Sequence, residues 1–235
     1  FYDPATIVPP GLKRIGPKEH RDLFRFEKDD DKMVQIPGGL FWMGSDSGFP
    51  DERPRRKVLV DSFFIDQYEV TNRQFFAAGM KPAKSYGSRF ESPRLPVVGV
   101  TWHQSEVYCK KMGKRLPAEA EWEKAAKGFG SQKFPWGNDW NPGFANDSSL
   151  GPMPIGSFDN GKSPFGVNDM AGNVWEWVSD VYDRKKEEAG HNSPRVMRGG
   201  AWGFHALYLR SSYRRMELPE FQGRRVGFRC AKDAP

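Results

Sequence analysis

The stretch Gly172–Trp177, which reads Gly-Asn-Val-Trp-Glu-Trp, constrains the fold of this chain more than any other feature. Successive side chains of a strand point to opposite faces, so Trp175 and Trp177 can anchor one face in a core while Glu176 faces the other way. Asp169 lies just upstream and adds a second carboxylate. Large apolar anchors that alternate with oxygen donors suit a rigid calcium-binding loop and strand. The stretch therefore predicts a buried strand beside a cluster of oxygen ligands.

The composition favours one globular domain with an aromatic-rich core. Of the 235 residues, 14% are aromatic, including 8 Trp and 18 Phe, and long aliphatic runs are few. The 25 Gly and 19 Pro indicate many turns and few long helices. So much aromatic surface excludes a disordered chain, and the length suits a single domain. No apolar run reaches the roughly 18 residues that a membrane-spanning helix needs.

Residues 1–33 differ in composition from the rest of the chain. Four prolines interrupt this segment, and its end is almost wholly charged, which predicts an extended N-terminal arm before a domain at 34–235. Such an arm needs packing on its own domain or on a partner to be held in place. The net charge of +6 admits nucleic-acid binding, but no recognition motif accompanies the arginines. A solvated or partner-facing surface is the better interpretation.

The order of local patterns predicts an α+β domain. Apolar stretches on either side of Pro37–Gly39 predict a hairpin over 33–44, and imperfect alternation predicts a strand group over 56–68. Capping residues and glycine stops predict three helices, over 71–79, 101–113 and 117–128. Pro117 is expected at the first position of the third helix. Only strands and long loops are expected after residue 130, and this arrangement is of the α+β type.

The motifs together resemble the formylglycine-generating enzyme, or sulfatase-modifying factor, family. The likeness extends over roughly residues 33–233. One motif alone is weak evidence, but ten in the family's order are specific. The matching stretches are Ile36–Gly39 with Met43–Gly44, Tyr68–Asn72, Pro96–Trp102, Tyr108–Cys109, Gly113–Pro117, Glu119–Glu123, Pro135–Gly137, Asp169–Trp177, Arg198–Trp202 and Gly227–Ala231. The resemblance implies a variant of the C-type-lectin fold with little regular secondary structure and with structural calcium.

The resemblance also implies a disulfide between Cys109 and Cys230, which are the two cysteines of the chain. The residues alone leave two buried, reduced thiols as the alternative, because two cysteines cannot be paired from their number and spacing. A persistent disulfide indicates an oxidising compartment. We therefore expect a periplasmic or otherwise extracytoplasmic location.

A calcium site is the next implication of the resemblance. In the family, calcium is bound beside the signature, and the matching ligands here are the carboxylates of Asp169 and Glu176 and the carbonyls of Gly172 and Val174. Aspartate is as good a hard ligand as the asparagine found in other members. The alternative is a salt-bridged Asp–Glu region in which an arginine or a water takes the place of the ion.

The catalytic cysteines of the family have no counterpart in this chain. In the active enzymes two cysteines bind copper as thiolates, and their positions fall on Phe204 and Leu209. Neither hydrocarbon side chain can ligate copper or form a mixed disulfide with a substrate. We therefore predict no formylglycine generation, no copper and no catalytic residue of that kind.

Two functional hypotheses follow. The first is a non-catalytic binding or structural accessory subunit of a larger extracytoplasmic or membrane-attached complex. This subunit would contact a protein partner through the arm and the 202–225 surface, because aromatic residues and arginine are enriched at protein interfaces. The second is an iron- or copper-dependent oxidoreductase of the same family that uses His205. The expected binding groove consists of Trp202, Phe204, His205, Tyr208, Leu209, Arg210, Tyr213 and Arg214.

Overall fold

The computed structural model describes residues 30–182 and 192–235, in which the helices and strands are short. The helices are α1 (Asn72–Ala77), α2 (Trp102–Lys111) and α3 (Glu119–Lys127). The strands are β1 (Met33–Ile36), β2 (Gly39–Met43), β3 (Arg56–Val60), β4 (Phe63–Asp66), β5 (Trp175–Val181), β6 (Arg195–Arg198), β7 (Arg215–Glu217), β8 (Val226–Phe228) and β9 (Ala231–Asp233). Helices lie early in the chain and strands dominate the end of it, so the predicted α+β class is confirmed.

The predicted hairpin over 33–44 is wrong. β1 pairs with β4, and β2 pairs with β3, both antiparallel. The register continues across the break, since Ile36 lies opposite Phe63 and Gly39 opposite Val60. Proline has a fixed φ and no N–H, so Pro37 interrupts the pairing of one long ribbon without reversing the chain.

The signature strand β5 lies inside a four-stranded sheet of order β7-β6-β5-β8, in which β5 and β8 are parallel. Trp175 and Trp177 belong to an aromatic core together with Phe75 and Phe228, whereas Trp122 belongs to a second core under β1–β4. The indole N–H of Trp177 donates to the carbonyl of Val100 at 3.2 Å. The predicted alternation along the signature therefore places its two tryptophans in one core.

The capping signals of α1 and α2 are confirmed. The hydroxyls of Thr71 and Thr101 accept hydrogen bonds from the main-chain N–H groups three residues later, at 3.3 and 3.1 Å. The expectation that α3 begins at Pro117 is wrong. The helix begins at Glu119, because the N–H of Ala118 donates to the carboxylate of Glu121 at 2.7 Å and closes the first turn there.

The predicted arm of residues 1–33 lies almost wholly outside the described residues, so the arm stays a prediction. Met33–Pro235 forms one compact unit. Within the described parts, no helix is both long and apolar enough to cross a membrane.

Candidate functional site

The signature forms a curled loop that leads into β5. Asp169, Gly172 and Asn173 all have positive φ, between 57° and 82°. A Cβ on Gly172 would lie 2.5 Å from the carbonyl oxygen of Asn146, so only glycine fits this close approach. The side chain of Asn173 is fixed because its Oδ1 accepts hydrogen bonds from the amide of Asn146 at 3.1 Å and the N–H of Met153 at 2.9 Å. The loop is therefore a rigid support for the residues around it.

Glu176 is fully buried, and two side chains donate hydrogen bonds to its carboxylate. Nε and Nη2 of Arg229 donate to its two oxygens at 2.7 Å each, and Nε1 of Trp122 donates at 2.7 Å. The remaining guanidinium N–H groups donate to three main-chain carbonyls. Burial alone would lower the pKa of Arg229, but the charge and hydrogen bonds of Glu176 outweigh it and raise that pKa. The pair is a neutralised ion pair at the centre of the domain.

Two further buried carboxyl groups, Glu69 and Asp169, lie next to this pair. Burial, and then the charge of Asp169, raise the pKa of Glu69 well above its ordinary value. Burial raises the pKa of Asp169 to about 6, although the N–H of Gly156 donates to its Oδ2 at 2.8 Å. Oε1 of Glu69 accepts from Asn173 at 3.0 Å, while its Oε2 has no donor among the described residues. Arg229 balances one negative charge, so a proton or a cation must balance the others.

The donor set of this centre fits a hard cation such as calcium. Its carboxyl groups exceed its guanidinium charge, and Oε2 of Glu69 accepts no hydrogen bond from the described residues. In the part of the chain that the structure describes, no three side chains of His, Cys, Asp or Glu are placed to hold a metal by themselves. The carbonyls of Gly172 and Val174 would therefore have to complete the ligand shell of Asp169 and Glu176. The salt bridge of Glu176 to arginine is also the feature expected of the alternative, so calcium stays a prediction.

Cys109 and Cys230 form a disulfide that joins α2 to the segment between β8 and β9. Both cysteines are fully buried. The pairing implied by the resemblance is confirmed, and the alternative of two reduced thiols is excluded. Because the chain has 2 Cys, no thiol is left for copper binding or for a covalent intermediate.

Phe204 and Leu209, which the sequence resemblance matches to catalytic cysteines, are packed hydrocarbon side chains. Leu209 is fully buried and packs with Ala145 and Ala171. The half-buried ring of Phe204 lies edge-on to Trp175, with ring centroids 5.6 Å apart. Both side chains stabilise this edge of the core.

The eight residues of the predicted groove are only partly available to a partner. Trp202, Leu209 and Arg210 are buried. Arg210 makes a two-pronged ion pair with Glu52 at 2.6 and 2.9 Å, and Arg214 makes one with Glu119 at 2.7 and 2.8 Å. The guanidinium groups of these two arginines are therefore already neutralised by Glu52 and Glu119 and have a structural role.

The other groove residues lie at or near the surface. Tyr208 packs against two other aromatic rings: its ring centroid lies 5.8 Å from that of Phe204 and 5.3 Å from that of Tyr213. His205 is exposed, and its Nδ1 accepts the N–H of Leu207 at 3.2 Å, which caps a short 3-10 turn. A binding role for these four residues stays a prediction.

Sequence reasoning missed the contribution of Glu69 to the site, and it placed a second part, a cavity, only within the 202–225 surface. The contribution of Glu69 to the buried centre has no local signal, because it comes from the segment before α1. A cavity of about 180 Å³ also lies beside the groove, and Arg215, Phe221, Arg224 and Arg225 are among its lining residues. The concentration of arginines in this part of the sequence was the one available signal for it.

Several known proteins are similar to this chain. The family described as "Sulfatase-modifying factor enzyme 1-like domain" matches residues 19–234. Serine/threonine-protein kinase pkn1 of Chlamydia pneumoniae is 37% identical over 86% of this chain, which spans 38% of that protein's length. Inactive C-alpha-formylglycine-generating enzyme 2 of Bos taurus is 31% identical over 86% of this chain and 88% of its own. The structure of PvdO from Pseudomonas aeruginosa superposes with a TM-score of 0.71 at 29% identity, over 88% of this chain and 96% of that one.

Proposed function

Because the chain belongs to the sulfatase-modifying factor family of formylglycine-generating enzyme-like proteins, we propose that it is a non-catalytic binding subunit of a larger complex. Its fold is the family's C-type-lectin-like variant, as the resemblance implied. One observation carries the proposal: both cysteines are in the buried disulfide, and Phe204 and Leu209 fill the positions of the catalytic cysteines. The likeness to a relative named as inactive supports it.

The complex is proposed to be extracytoplasmic or attached to a membrane, with a protein partner that contacts the 202–225 surface and the N-terminal arm. The disulfide supports an oxidising compartment.

We expect the purified protein to leave a cysteine-containing sulfatase peptide unchanged when copper and oxygen are supplied. No thiolate of the chain is free to bind copper or the substrate. Mass spectrometry of the peptide measures the outcome, and an active formylglycine-generating enzyme assayed in parallel is the positive control. Conversion of the peptide above the enzyme-free blank would contradict the proposal.

The alternative function is a metal-dependent oxidoreductase that uses His205. Its Nδ1 already accepts a main-chain hydrogen bond, which leaves Nε2 as the ring nitrogen for a metal. Elemental analysis of the purified protein separates the two functions. Stoichiometric iron or copper would favour the oxidoreductase and count against the binding subunit.

We also propose that the buried centre binds one calcium ion through Asp169, Glu176 and the carbonyls of Gly172 and Val174. Calcium is then expected to raise the melting temperature, because at about 100 times its Kd a ligand stabilises the folded state by about 2.7 kcal/mol. Calorimetry with calcium and with a chelator measures this shift. Asp169→Ala should remove it, whereas Asp139→Ala, which changes an exposed aspartate, should keep it. A shift that is absent, or equal in both variants, would contradict the site.

A further inference from the structure

A cavity of about 180 Å³ beside the predicted groove combines aromatic walls with guanidinium groups. Trp175, Phe204 and Phe221 contribute aromatic rings to its lining, and Arg215, Arg224 and Arg225 contribute positive charge. Its volume is below the 300–1,000 Å³ or so of typical small-molecule pockets and suits one or two side chains.

The arginines of this cavity are held in place by aromatic rings. Cζ of Arg225 lies 3.9 Å from the ring centroid of Trp202, and its Nε donates to the carbonyl of Trp202 at 3.0 Å. Cζ of Arg224 lies 5.3 Å from the same ring, and that of Arg215 lies 5.7 Å from Trp175. Stacked guanidinium groups lose little freedom when a ligand binds, so the cavity is preorganised.

Part of the positive charge at the cavity has no carboxylate partner among the described residues. Arg215 pairs with Glu217 at 2.6 Å, but no carboxylate of the described residues pairs with Arg224 or Arg225. Burial, and then the like charges of Arg224 and Arg215, lower the pKa of Arg225. The buried arginines Arg198, Arg210 and Arg229 are each paired with a carboxylate, whereas Arg224 is exposed and Arg225 is half-buried. Within 30–182 and 192–235 these two guanidinium groups lack a carboxylate partner, and an anionic ligand at the cavity would complement both charges.

The surroundings favour an extended ligand. A second, open cavity of about 370 Å³ shares Arg215 in its lining, together with Phe49, Tyr213 and Met216 among others. A peptide can place a side chain in the smaller cavity and continue across Arg215 into the larger one.

We propose that this surface binds an acidic peptide segment of a partner protein, with an Asp or Glu carboxylate at Arg224 and Arg225 and an adjacent apolar side chain against Phe204 and Phe221. Guanidinium groups match the geometry of carboxylates and form strong, charge-assisted hydrogen bonds with them. This inference rests on the proposed function as a binding subunit and names the chemistry of the segment that is bound.

The test is fluorescence anisotropy with a fluorescein-labelled peptide, Gly-Asp-Glu-Phe-Asp-Gly, and its neutral counterpart, Gly-Asn-Gln-Phe-Asn-Gly. The acidic peptide is expected to bind at least about tenfold more tightly, and less tightly as salt rises. Arg224→Gln and Arg225→Gln should each weaken binding by about three- to tenfold. Lys232→Gln removes one exposed charge from β9, in a different sheet, and should have no effect. Arg224 is exposed, so its variant is expected to fold normally even if the Arg225 variant does not.

Equal binding of the two peptides, no binding, or an equal loss in the Lys232 variant would overturn the inference. The inference would also be wrong if the protein bound vesicles containing phosphatidylserine more tightly than the acidic peptide, and if Arg224→Gln weakened that binding. The ligand of this surface would then be a membrane. Co-purification of the native partner distinguishes this inference from the proposed function. If the Arg224→Gln, Arg225→Gln double variant retains the partner while peptide binding fails, the cavity inference is wrong and the binding role stands.

Discussion

Replacement of Arg229 by methionine is expected to lower the free energy of unfolding by about 3–5 kcal/mol. Arg229 is fully buried, and its guanidinium forms two hydrogen bonds of 2.7 Å with Glu176. Without it, three carboxyl groups remain in the core with no positive charge from that side chain. Three main-chain carbonyls also lose their donor. Urea denaturation followed by tryptophan fluorescence measures the change.

Two matched variants show whether the loss comes from the stranded charge. Arg224→Met removes an exposed guanidinium that pairs with no carboxylate of the described residues, and it should change the stability by no more than about 0.5 kcal/mol. Adding Glu176→Gln to Arg229→Met should recover part of the loss, because the glutamine carries no charge and still accepts the Trp122 hydrogen bond. If Arg229→Met is as stable as Arg224→Met, the buried pair of Arg229 and Glu176 does not stabilise the folded domain.

Much of the fold of this protein could be predicted from sequence, because the motifs that determine it act over a few residues or occur in a fixed order along the chain. The alternation of Trp175, Glu176 and Trp177 predicts which side chains enter the aromatic core, since the strand period is set by backbone geometry. The threonine caps at 71 and 101 act over three residues and are confirmed. The disulfide required the family resemblance, because spacing alone could not pair the two cysteines.

The pairing of charges could not be predicted, because it depends on residues far apart in sequence. Arg210 and Arg214 read as surface charges, yet Glu52 and Glu119 neutralise them from 158 and 95 residues away. Arg224 and Arg225 have the same residue type, but no carboxylate in the described part of the chain pairs with them. A net charge or a local count of arginines therefore cannot separate the structural arginines from those available to a ligand.

Strand pairing was missed for a similar reason. An apolar stretch on each side of Pro37–Gly39 has the appearance of a hairpin, but the better partners of β1 and β2 are β4 and β3. That choice depends on burial of Ile36 and Phe63 against α3, which is more than 50 residues further along the chain. Local turn chemistry does not contain this information.

Replacement of both cysteines by alanine is expected to be the largest single perturbation of this domain. The disulfide closes a separation of 121 residues, for which the chain-entropy model gives a stabilisation of about 5 kcal/mol. That is comparable with the whole stability of many domains, which is about 5–15 kcal/mol. Denaturant unfolding of Cys109→Ala, Cys230→Ala against the wild type measures the loss.

Denaturant unfolding in the presence of a reducing agent tests whether the fold depends on an oxidising compartment. Reduction should destabilise the wild type towards the level of the double alanine variant and leave that variant unchanged, because only the wild type has a bond to break. Both sulfurs are fully buried, so reduction is expected to require unfolding and to be slow without denaturant. A wild type that is equally stable when fully reduced would remove the physical reason for an oxidising compartment. If the reduced protein unfolds instead, the fold depends on such a compartment, as the proposed extracytoplasmic role requires.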